Sequence, residues 1–255
     1  MATAGERGGA EVFDAETGAL LARTPSRRLQ SARFAADGTL WTYGERLERW
    51  RLPESILPRV WEVGEGVTDV ALSEDGRQLV TGSGDGVVRL WDRHTGELIW
   101  SYKHGDLVIK AVALEPGGHR IAIAIPRNPG AVLLDPVADT VTVSDKTALI
   151  ARRVVWLASG HIVQTEWGLG PNVFSDDSLV YQPIFRQSTS VLFDLATSPS
   201  HAVAAATDVE GGIWLIDPTS DAPIRRVLED TRAHRVDIDD ATPRRLALVG
   251  ADRVE

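Results

Sequence analysis

The sequence contains no cysteine, which excludes disulfide bonds, thiolate nucleophiles and zinc–cysteine clusters. It also has fewer basic than acidic residues, 27 Lys and Arg against 36 Asp and Glu, which gives a formal net charge of −9. Nucleic acids and anionic membranes need a basic footprint, so we predict neither as a partner. Apolar runs stay far below the ~20 residues of a membrane helix, and residues 1–9 lack the apolar core of a secretory signal. We therefore expect a cytoplasmic protein.

Helical periodicity is missing as well, since no stretch of a dozen residues places apolar side chains at i, i+3, i+4 and i+7. Short apolar runs alternate instead with turn sequences. Residues 67–98 read VTDVALSEDGRQLVTGSGDGVVRLWDRHTGEL, in which Glu74-Asp75-Gly76 and Ser83-Gly84-Asp85-Gly86 separate strand-length runs. A further run over residues 98–102 completes four predicted strands in about 40 residues, which indicates an antiparallel meander.

The same pattern recurs along the whole chain. Residues equivalent to Trp91 follow one another at steps of 37 to 43 residues, and they are Phe13, Trp50, Trp91, Leu134, Phe174 and Ile216. A repeat of about 40–45 residues is typical of propeller blades. The sequence resembles the WD-repeat (tryptophan–aspartate repeat) β-propeller family in Asp75-Gly76, residues 82–86 and Leu90-Trp91-Asp92. This resemblance implies an all-β fold, a β-propeller of four-stranded antiparallel blades.

We predict one domain over residues 1–255 with six blades, seven being the alternative. Five blades are expected at about residues 29–64, 65–105, 106–146, 147–187 and 188–232. The sixth would be shared by residues 10–24 and 233–255, so that pairing of the N- and C-terminal strands closes the propeller and removes exposed sheet edges. Residues 23–34 and 146–157 read as the least strand-like segments, and the second of them suggests a longer loop or a helical turn.

Four residues of the clearest repeat are predicted to be structural: Ser83, Asp85, Trp91 and Asp92. Ser83 and Asp85 with Trp91 resemble part of the hydrogen-bonded tetrad that braces a WD-repeat blade. The His of that tetrad is missing from residues 62–65. His104 occupies the equivalent loop of the next blade, where Ala124, Asn128 and Leu134 offer no tetrad for it to join. A plain surface residue and a ligand contact are both open for His104.

The sequence offers no catalytic, cofactor or metal set. No G-x-S-x-G elbow or H-E-x-x-H pair is present. His119, His161 and His201 recur at one repeat position, but neighbouring sheets lie about 10 Å apart and metal–nitrogen bonds are about 2.0–2.1 Å, so they cannot share an ion. Residues 92–100 also resemble the D-x-x-T-G-x-x-x-W motif of quinoprotein propellers. An enzyme acting on a small molecule or carbohydrate, with carboxylates and His near the central channel, is therefore the alternative hypothesis.

The favoured hypothesis is a non-catalytic scaffold that binds a protein or peptide. In propellers, the turns between second and third strands emerge on the same face as the loops that lead to the next blade, and we call this the loop face. Loops held by a rigid frame are the usual carriers of binding residues. The candidate partner-binding residues on the loop face are Trp61, Glu65, His104, Asp106, Arg127, Asn128, Trp167, Arg186, Asp208, Glu210 and His234.

Overall fold

The computed structural model describes residues 2–5, 8–13, 20–23, 29–34, 39–44, 46–50, 59–61, 66–126, 131–144, 151–166, 169–175, 179, 181–182, 191–198, 200–229, 233–238 and 246–250. Every regular element within these ranges is a β-strand. The chain divides into two compact units, Met1–Ile109 and Lys110–Glu255, each of which is described by itself.

The first unit contains three antiparallel sheets. A three-stranded sheet is formed by β1 (Ala2–Gly5), β2 (Gly8–Phe13) and β3 (Leu20–Arg23). The next sheet has four strands, β4 (Leu29–Phe34), β5 (Leu40–Gly44), β6 (Leu47–Trp50) and β7 (Arg59–Trp61). The third also has four, β8 (Val67–Leu72), β9 (Gln78–Ser83), β10 (Val87–Asp92) and β11 (Leu98–Lys103). In each sheet the strands are neighbours in chain order, so each sheet is a meander.

The second unit contains three four-stranded meanders and a hairpin. The first meander consists of β12 (Ala111–Leu114), β13 (Ile121–Ala124), β14 (Val132–Asp135) and β15 (Thr140–Val143). The second consists of β16 (Ala151–Trp156), β17 (His161–Glu166), β18 (Leu169–Ser175) and β19 (Tyr181–Gln182). The third consists of β20 (Leu192–Thr197), β21 (Ala204–Asp208), β22 (Ile213–Ile216) and β23 (Ile224–Leu228). The hairpin pairs β24 (Ala233–Ile238) with β25 (Leu246–Gly250).

The all-β fold and the four-stranded antiparallel blades are confirmed, but the blade count differs from the prediction. Five sheets among the described residues have four strands, where six were expected. The shared terminal blade is wrong in its pairing, because β2 has β1 on one edge and β3 on the other. No edge of β2 is left for a C-terminal strand. Pairing of neighbouring segments costs less loop-closure entropy than pairing of chain ends.

Residues 146–157 also differ from expectation, because Ala151–Trp156 is the regular strand β16. Its alternation of buried and half-buried residues is that of a strand with both faces covered. Turns precede the second strands β9, β13 and β17, and Gly76, Gly117 and Gly160 take positive φ there.

The core is built between the faces of successive sheets. In the first unit, Trp41 and Leu47 pack with Val70, Leu79 and Trp91. In the second, alanines of β12 and β13 pack against larger residues such as Trp156 and Phe174 of the following sheet. A further cluster joins Val163 to Leu195 and Ile216. Complete burial of a large apolar side chain contributes about 1.5–3 kcal/mol, so these interfaces dominate stability.

One irregularity recurs in the first strand of five sheets. Pairing with the second strand slips by one residue at the same place in each, and the extra residues are Gln30, Thr68, Arg152, Phe193 and His234. Such a bulge bends the strand and re-aims the side chains beside it. Because the bulge recurs at one position, it is a regular part of the repeat. It lies next to the loop face.

Candidate functional site

In the first unit, the loop face of the β8–β11 sheet is one hydrogen-bonded block. The turn between β9 and β10 is tied to the chain before β8, because Gly84 N donates to Gly66 O at 2.9 Å. The loop after β11 is tied to the same turn, since His104 N donates to Gly86 O at 2.9 Å and Ile109 N donates to Ser83 O at 3.1 Å. The surface is therefore held by backbone hydrogen bonds and is preorganised for contact.

Gly86 is required at the centre of this block. Its φ is +77°, and a Cβ placed there would lie 2.8 Å from Gly105 O and 2.9 Å from Leu107 O. Both conditions exclude a side chain, because left-handed backbone favours glycine and the two carbonyls leave no space. The turn and the following loop thus touch through backbone atoms.

Asp85 and Ser83 anchor the turn, and both bind Arg89. Asp85 Oδ1 accepts Val87 N at 3.0 Å, and Asp85 Oδ2 accepts Arg89 Nη2 at 2.8 Å. Ser83 Oγ accepts Arg89 Nη1 at 3.4 Å. Ser83 is fully buried, Asp85 and Arg89 are partly buried, and the opposite charges of Asp85 and Arg89 offset each other. Their role in this geometry is to fix the turn.

The indole of Trp91 is bound by a hydroxyl two residues before Ser83. Trp91 Nε1 donates to Thr81 Oγ1 at 3.0 Å, so Ser83 is not its partner. The preceding sheet repeats this contact, in which Trp50 Nε1 donates to Thr42 Oγ1 at 3.0 Å. Asp92, also predicted to be structural, caps the next turn by accepting His94 N at 2.8 Å and Thr95 N at 2.7 Å.

His104 continues a row of rings along β11. Trp100 and Tyr102 stack with centroids 6.1 Å apart, and the Tyr102 and His104 centroids are 5.9 Å apart. Tyr102 Oη and His104 Nδ1 are 3.3 Å apart, within hydrogen-bond distance. Burial lowers the pKa of His104 below its ordinary 6.5, so the neutral ring is favoured near pH 7. The nearby Asp106 carboxylate is almost fully exposed and pairs with Lys103 at 3.2 Å.

In the second unit, Asp208 is a turn anchor and not an exposed contact. It is 2% exposed and accepts Glu210 N at 2.9 Å, Gly212 N at 2.7 Å and Trp214 Nε1 at 2.7 Å. Arg226 Nη2 lies 3.6 Å from the same carboxylate. The turn is also tied to the chain before β20, because Val209 N donates to Val191 O at 3.0 Å. The anchored turn carries Glu210, which is exposed, and Val209, which is 50% exposed.

The bulges add a group of residues that the sequence analysis missed. The Arg152 guanidinium lies over the Phe193 ring, with Cζ 4.8 Å from its centroid. Arg153 Nε lies 3.2 Å from Asp194 Oδ1, and Asp194 Oδ2 accepts Val236 N at 3.3 Å. These contacts join the first strands of three successive sheets. An unpaired residue in a strand leaves no period-2 signal, so only the structure identifies the group.

The three recurrent histidines have separate partners. His119 Nε2 lies 3.2 Å from Asp135 Oδ1, His161 Nδ1 lies 3.0 Å from Ser159 Oγ, and His201 Nδ1 lies 3.0 Å from Trp156 O. The His161 interaction lies within the turn before β17, the His119 pair joins the turn before β13 to the end of β14, and the His201 interaction joins the turn before β21 to the end of β16.

Seven predicted partner-binding residues are not tested by side-chain geometry. For Trp61 and His234 only the strand backbone is described, in β7 and β24. The other five lie outside the described residues: Glu65, Arg127, Asn128, Trp167 and Arg186. Their roles stay predictions.

Comparison with known proteins identifies the fold class. Residues 59–92 match the family WD40, described as WD domain, G-beta repeat. The structure of U3-55K is similar to this chain with a TM-score of 0.79 at 11% identity, covering 93% of this chain and 81% of that one. The RRP9 WD40 repeats are similar with a TM-score of 0.79 at 12% identity, covering 93% and 80%. These structural likenesses show that the chain has a β-propeller fold, and residues 59–92 are similar to a WD repeat.

No curated protein sequence matches the chain. Among the residues that the structure describes, no helix has the length and apolar character needed to cross a membrane.

Proposed function

We propose that the chain is a non-catalytic scaffold that binds a protein or peptide through its loop face. The observation that carries this proposal is a backbone hydrogen bond found in two sheets. In each sheet it joins the turn after the second strand, β9 or β21, to the residue before the first strand. Gly84 N–Gly66 O at 2.9 Å and Val209 N–Val191 O at 3.0 Å are equivalent bonds in two sheets. They hold exposed loop side chains on a rigid frame, an arrangement suited to recognition.

The contact residues fall into two groups, one in each unit. Asp106 and His104 extend from the first block, and Val209 and Glu210 extend from the Asp208 turn. Arg and aromatic residues are enriched in binding hot spots, which favours the Arg152–Phe193 pair as an anchor. The formal net charge of −9 favours a protein partner over nucleic acid.

The state of the buried carboxylates favours binding over catalysis. Asp69 accepts Tyr43 Oη at 2.9 Å, Glu48 accepts Thr42 Oγ1 at 3.1 Å, and Glu166 accepts Asn172 Nδ2 at 2.9 Å. Each carboxylate serves a bond within a sheet or between adjacent sheets. Paired-carboxylate hydrolysis instead needs two acidic groups about 5–10 Å apart beside a substrate.

Site-specific photocrosslinking tests this proposal. A photoreactive amino acid is placed at Val209, on the turn after a second strand, and separately at Val137, on a turn after a third strand. Val209 is 50% and Val137 is 77% exposed, so accessibility favours the control position. We expect a discrete adduct from position 209 in cells that express the protein, and its loss when the exposed neighbour is changed by Glu210→Arg in the same photoreactive protein. Equal adducts at both positions, or an adduct at Val137 alone, would contradict the loop-face assignment.

A further inference from the structure

The outer edge of the β12–β15 sheet is uncharged and regular. β15 reads Thr140-Val141-Thr142-Val143 and ends the sheet, so among the described residues no strand pairs with its outer side. Every other fourth strand of three or more described residues contains a basic residue, and these are Arg59, Lys103, Arg225 and Arg226. The β10–β11 and β22–β23 pairings also slip by one residue, whereas β15 pairs with β14 in unbroken register. Charges and bulges oppose the addition of a strand to an edge, and β15 has neither.

The backbone groups that face this open edge belong to Val141 and Val143. Ser144 N donates to Ala131 O at 3.0 Å, so position 144 directs its N–H toward β14. Direction alternates along an antiparallel strand, so Thr142 also faces β14, whereas the N–H and C=O of the two valines point away from the sheet. Within the described part of the chain, these four groups have no hydrogen-bond partner.

Two apolar rows run across the sheet and end at the same two valines. One row consists of Leu114, Ile121, Leu134 and Val141, and the other consists of Val112, Ile123, Val132 and Val143. Opposed residues of neighbouring strands share a face of the sheet, so both rows lie on one face. The inner members are buried, whereas Val141 is 42% and Val143 is 44% exposed. A further strand with apolar residues opposite the two valines extends both rows.

We propose that the outer edge of β15 binds an extended segment of a partner protein as a fifth, antiparallel strand. The segment places β-branched apolar side chains opposite Val141 and Val143 and exchanges backbone hydrogen bonds with both residues. In strand addition of this kind, the main-chain bonds supply affinity and the alternate side chains supply specificity. The edge is a second interaction surface, and its binding does not depend on the loop face.

The size of the edge favours a peptide segment over a second copy of this chain. Four strand residues extend about 13 Å, at about 3.3 Å per residue. A specific interface between two globular proteins buries about 1,200–2,000 Å², and an edge of this length supplies only a small part of that area. The formal net charge of −9 favours a segment with basic residues at its ends.

Fluorescence anisotropy with a labelled peptide and the purified protein tests the strand addition. The probe alternates valine and threonine over six residues and has a lysine at each end. We expect saturable binding. Methylation of the three valine backbone nitrogens should weaken it about tenfold or more, because those N–H groups face β15 in the proposed pairing. Methylation of the three threonine nitrogens is the control and should leave affinity within about twofold, because those N–H groups face solvent.

Val141→Pro tests the same bonds from the side of the protein. Proline removes an outward N–H and is tolerated on an edge strand where that N–H has no partner in the sheet. We expect about tenfold weaker binding or more. Ser101→Pro makes the matched change on β11, where Ser101 also faces outward because His104 N donates to Gly86 O. It should leave binding within about twofold of wild type.

Circular dichroism and thermal unfolding establish that each variant is folded before its affinity is compared. The methylated peptides leave the protein unaltered, so the test stands even if Val141→Pro fails to fold. The proposal is overturned by the absence of saturable binding, by equal weakening from the two sets of methyl groups, or by equal weakening from the two proline variants. A dimer of the chain that Val141→Pro dissociates, without peptide binding, would assign the edge to a second copy and overturn it as well.

The loop-face proposal fails or stands separately. It is decided by the Val209 adduct, which does not involve β15. Val137 lies in the turn before β15 and outside the proposed pairing of residues 141–143, so it remains a valid control position.

Discussion

Gln164 shows how one residue position changes its chemistry between repeats. It occupies the register position of Thr81 and Thr42, whose hydroxyls accept tryptophan indoles. In the Gln164 sheet the tryptophan is replaced by Phe174, which has no N–H to donate. Gln164 is fully buried, and within the described part of the chain neither its amide nitrogen nor its oxygen has a hydrogen-bond partner.

Replacement of Gln164 by methionine should therefore stabilise the protein. Methionine matches the length and shape of glutamine and removes a buried amide group, whose burial without a hydrogen bond costs about 1–3 kcal/mol. We expect the free energy of unfolding to rise by about 1–3 kcal/mol, measured by urea denaturation. Gln78→Met, at a half-buried residue of β9, is the control and should change stability little. A clear loss of stability in Gln164→Met would show that the amide is bonded in the folded protein.

The role of a residue could be predicted from the sequence only where its position in the repeat was clear. The turn residue Asp85, Asp92 in its cap and the buried Trp91 were recognisable from their repeat positions. The choice between Thr81 and Ser83 as the indole acceptor was not, because both lie on the same face of β9, two residues apart. The burial of Asp208 could not be predicted either. The sequence of a glycine-rich turn is the same whether its acidic residue is exposed to solvent or accepts hydrogen bonds within the turn.

At the scale of the element, the tight turn after β9 depends on contact with the next loop. Gly86 and Gly105 both have positive φ, +77° and +58°, but only a Cβ at Gly86 would meet other atoms within 4 Å. A side chain at Gly105 would meet only the cost of a left-handed backbone, whereas a side chain at Gly86 would meet that cost and a steric clash. Comparing the two positions therefore separates the two costs.

Alanine substitutions at the two glycines should differ in stability. Gly105→Ala should cost about 1–2 kcal/mol, the price of a left-handed non-glycine residue. Gly86→Ala should cost more, because its Cβ would lie 2.8 Å from one carbonyl oxygen and 2.9 Å from another. Chemical denaturation of both variants measures the difference. Equal losses would indicate that the loop after β11 moves away without cost.

Strands and turns followed from the sequence because their signals are local. Apolar runs of strand length and Gly-containing turns located β8 to β11 closely, and the landmark spacing located the other sheets. The bulges were not predictable, since one extra residue in a strand changes pairing without changing composition. Strand β16 was missed because its two arginines interrupt the apolar run, and their contacts with Phe193 and Asp194 become visible only in the fold.

At the scale of the whole molecule, the terminal strands depart most from the sequence prediction. The prediction rested on a general argument, that pairing the ends removes exposed sheet edges. It overlooked Ala2–Gly5, whose small residues gave no strand signal, although β1 pairs antiparallel with β2. A long-range argument of this kind is weak whenever a local strand competes for the same edge.

The pairing of β1 with β2 is testable by engineered disulfides, because the protein has no cysteine of its own. Thr3 and Glu11 are direct partners, and opposed residues in antiparallel strands lie about 4.5–5.5 Å apart, within disulfide range. We expect a Thr3→Cys, Glu11→Cys variant to oxidise rapidly to an intramolecular disulfide, detected by mass and thiol titration. Ala2→Cys with Glu11→Cys, one residue out of register, should oxidise much more slowly. Equal rates in the two variants would contradict the pairing.

The recurrent bulge also limits how repeats of this kind can diverge in length. An insertion or deletion within a first strand would exchange its two faces on one side of the bulge, and core residues would be sent to the wrong neighbour. Differences in repeat length, from 37 to 43 residues between landmarks, are therefore accommodated by the connections between strands. Foreign sequences are therefore best inserted in these connections. The pairing of a first strand with its second strand tolerates substitutions but not insertions or deletions.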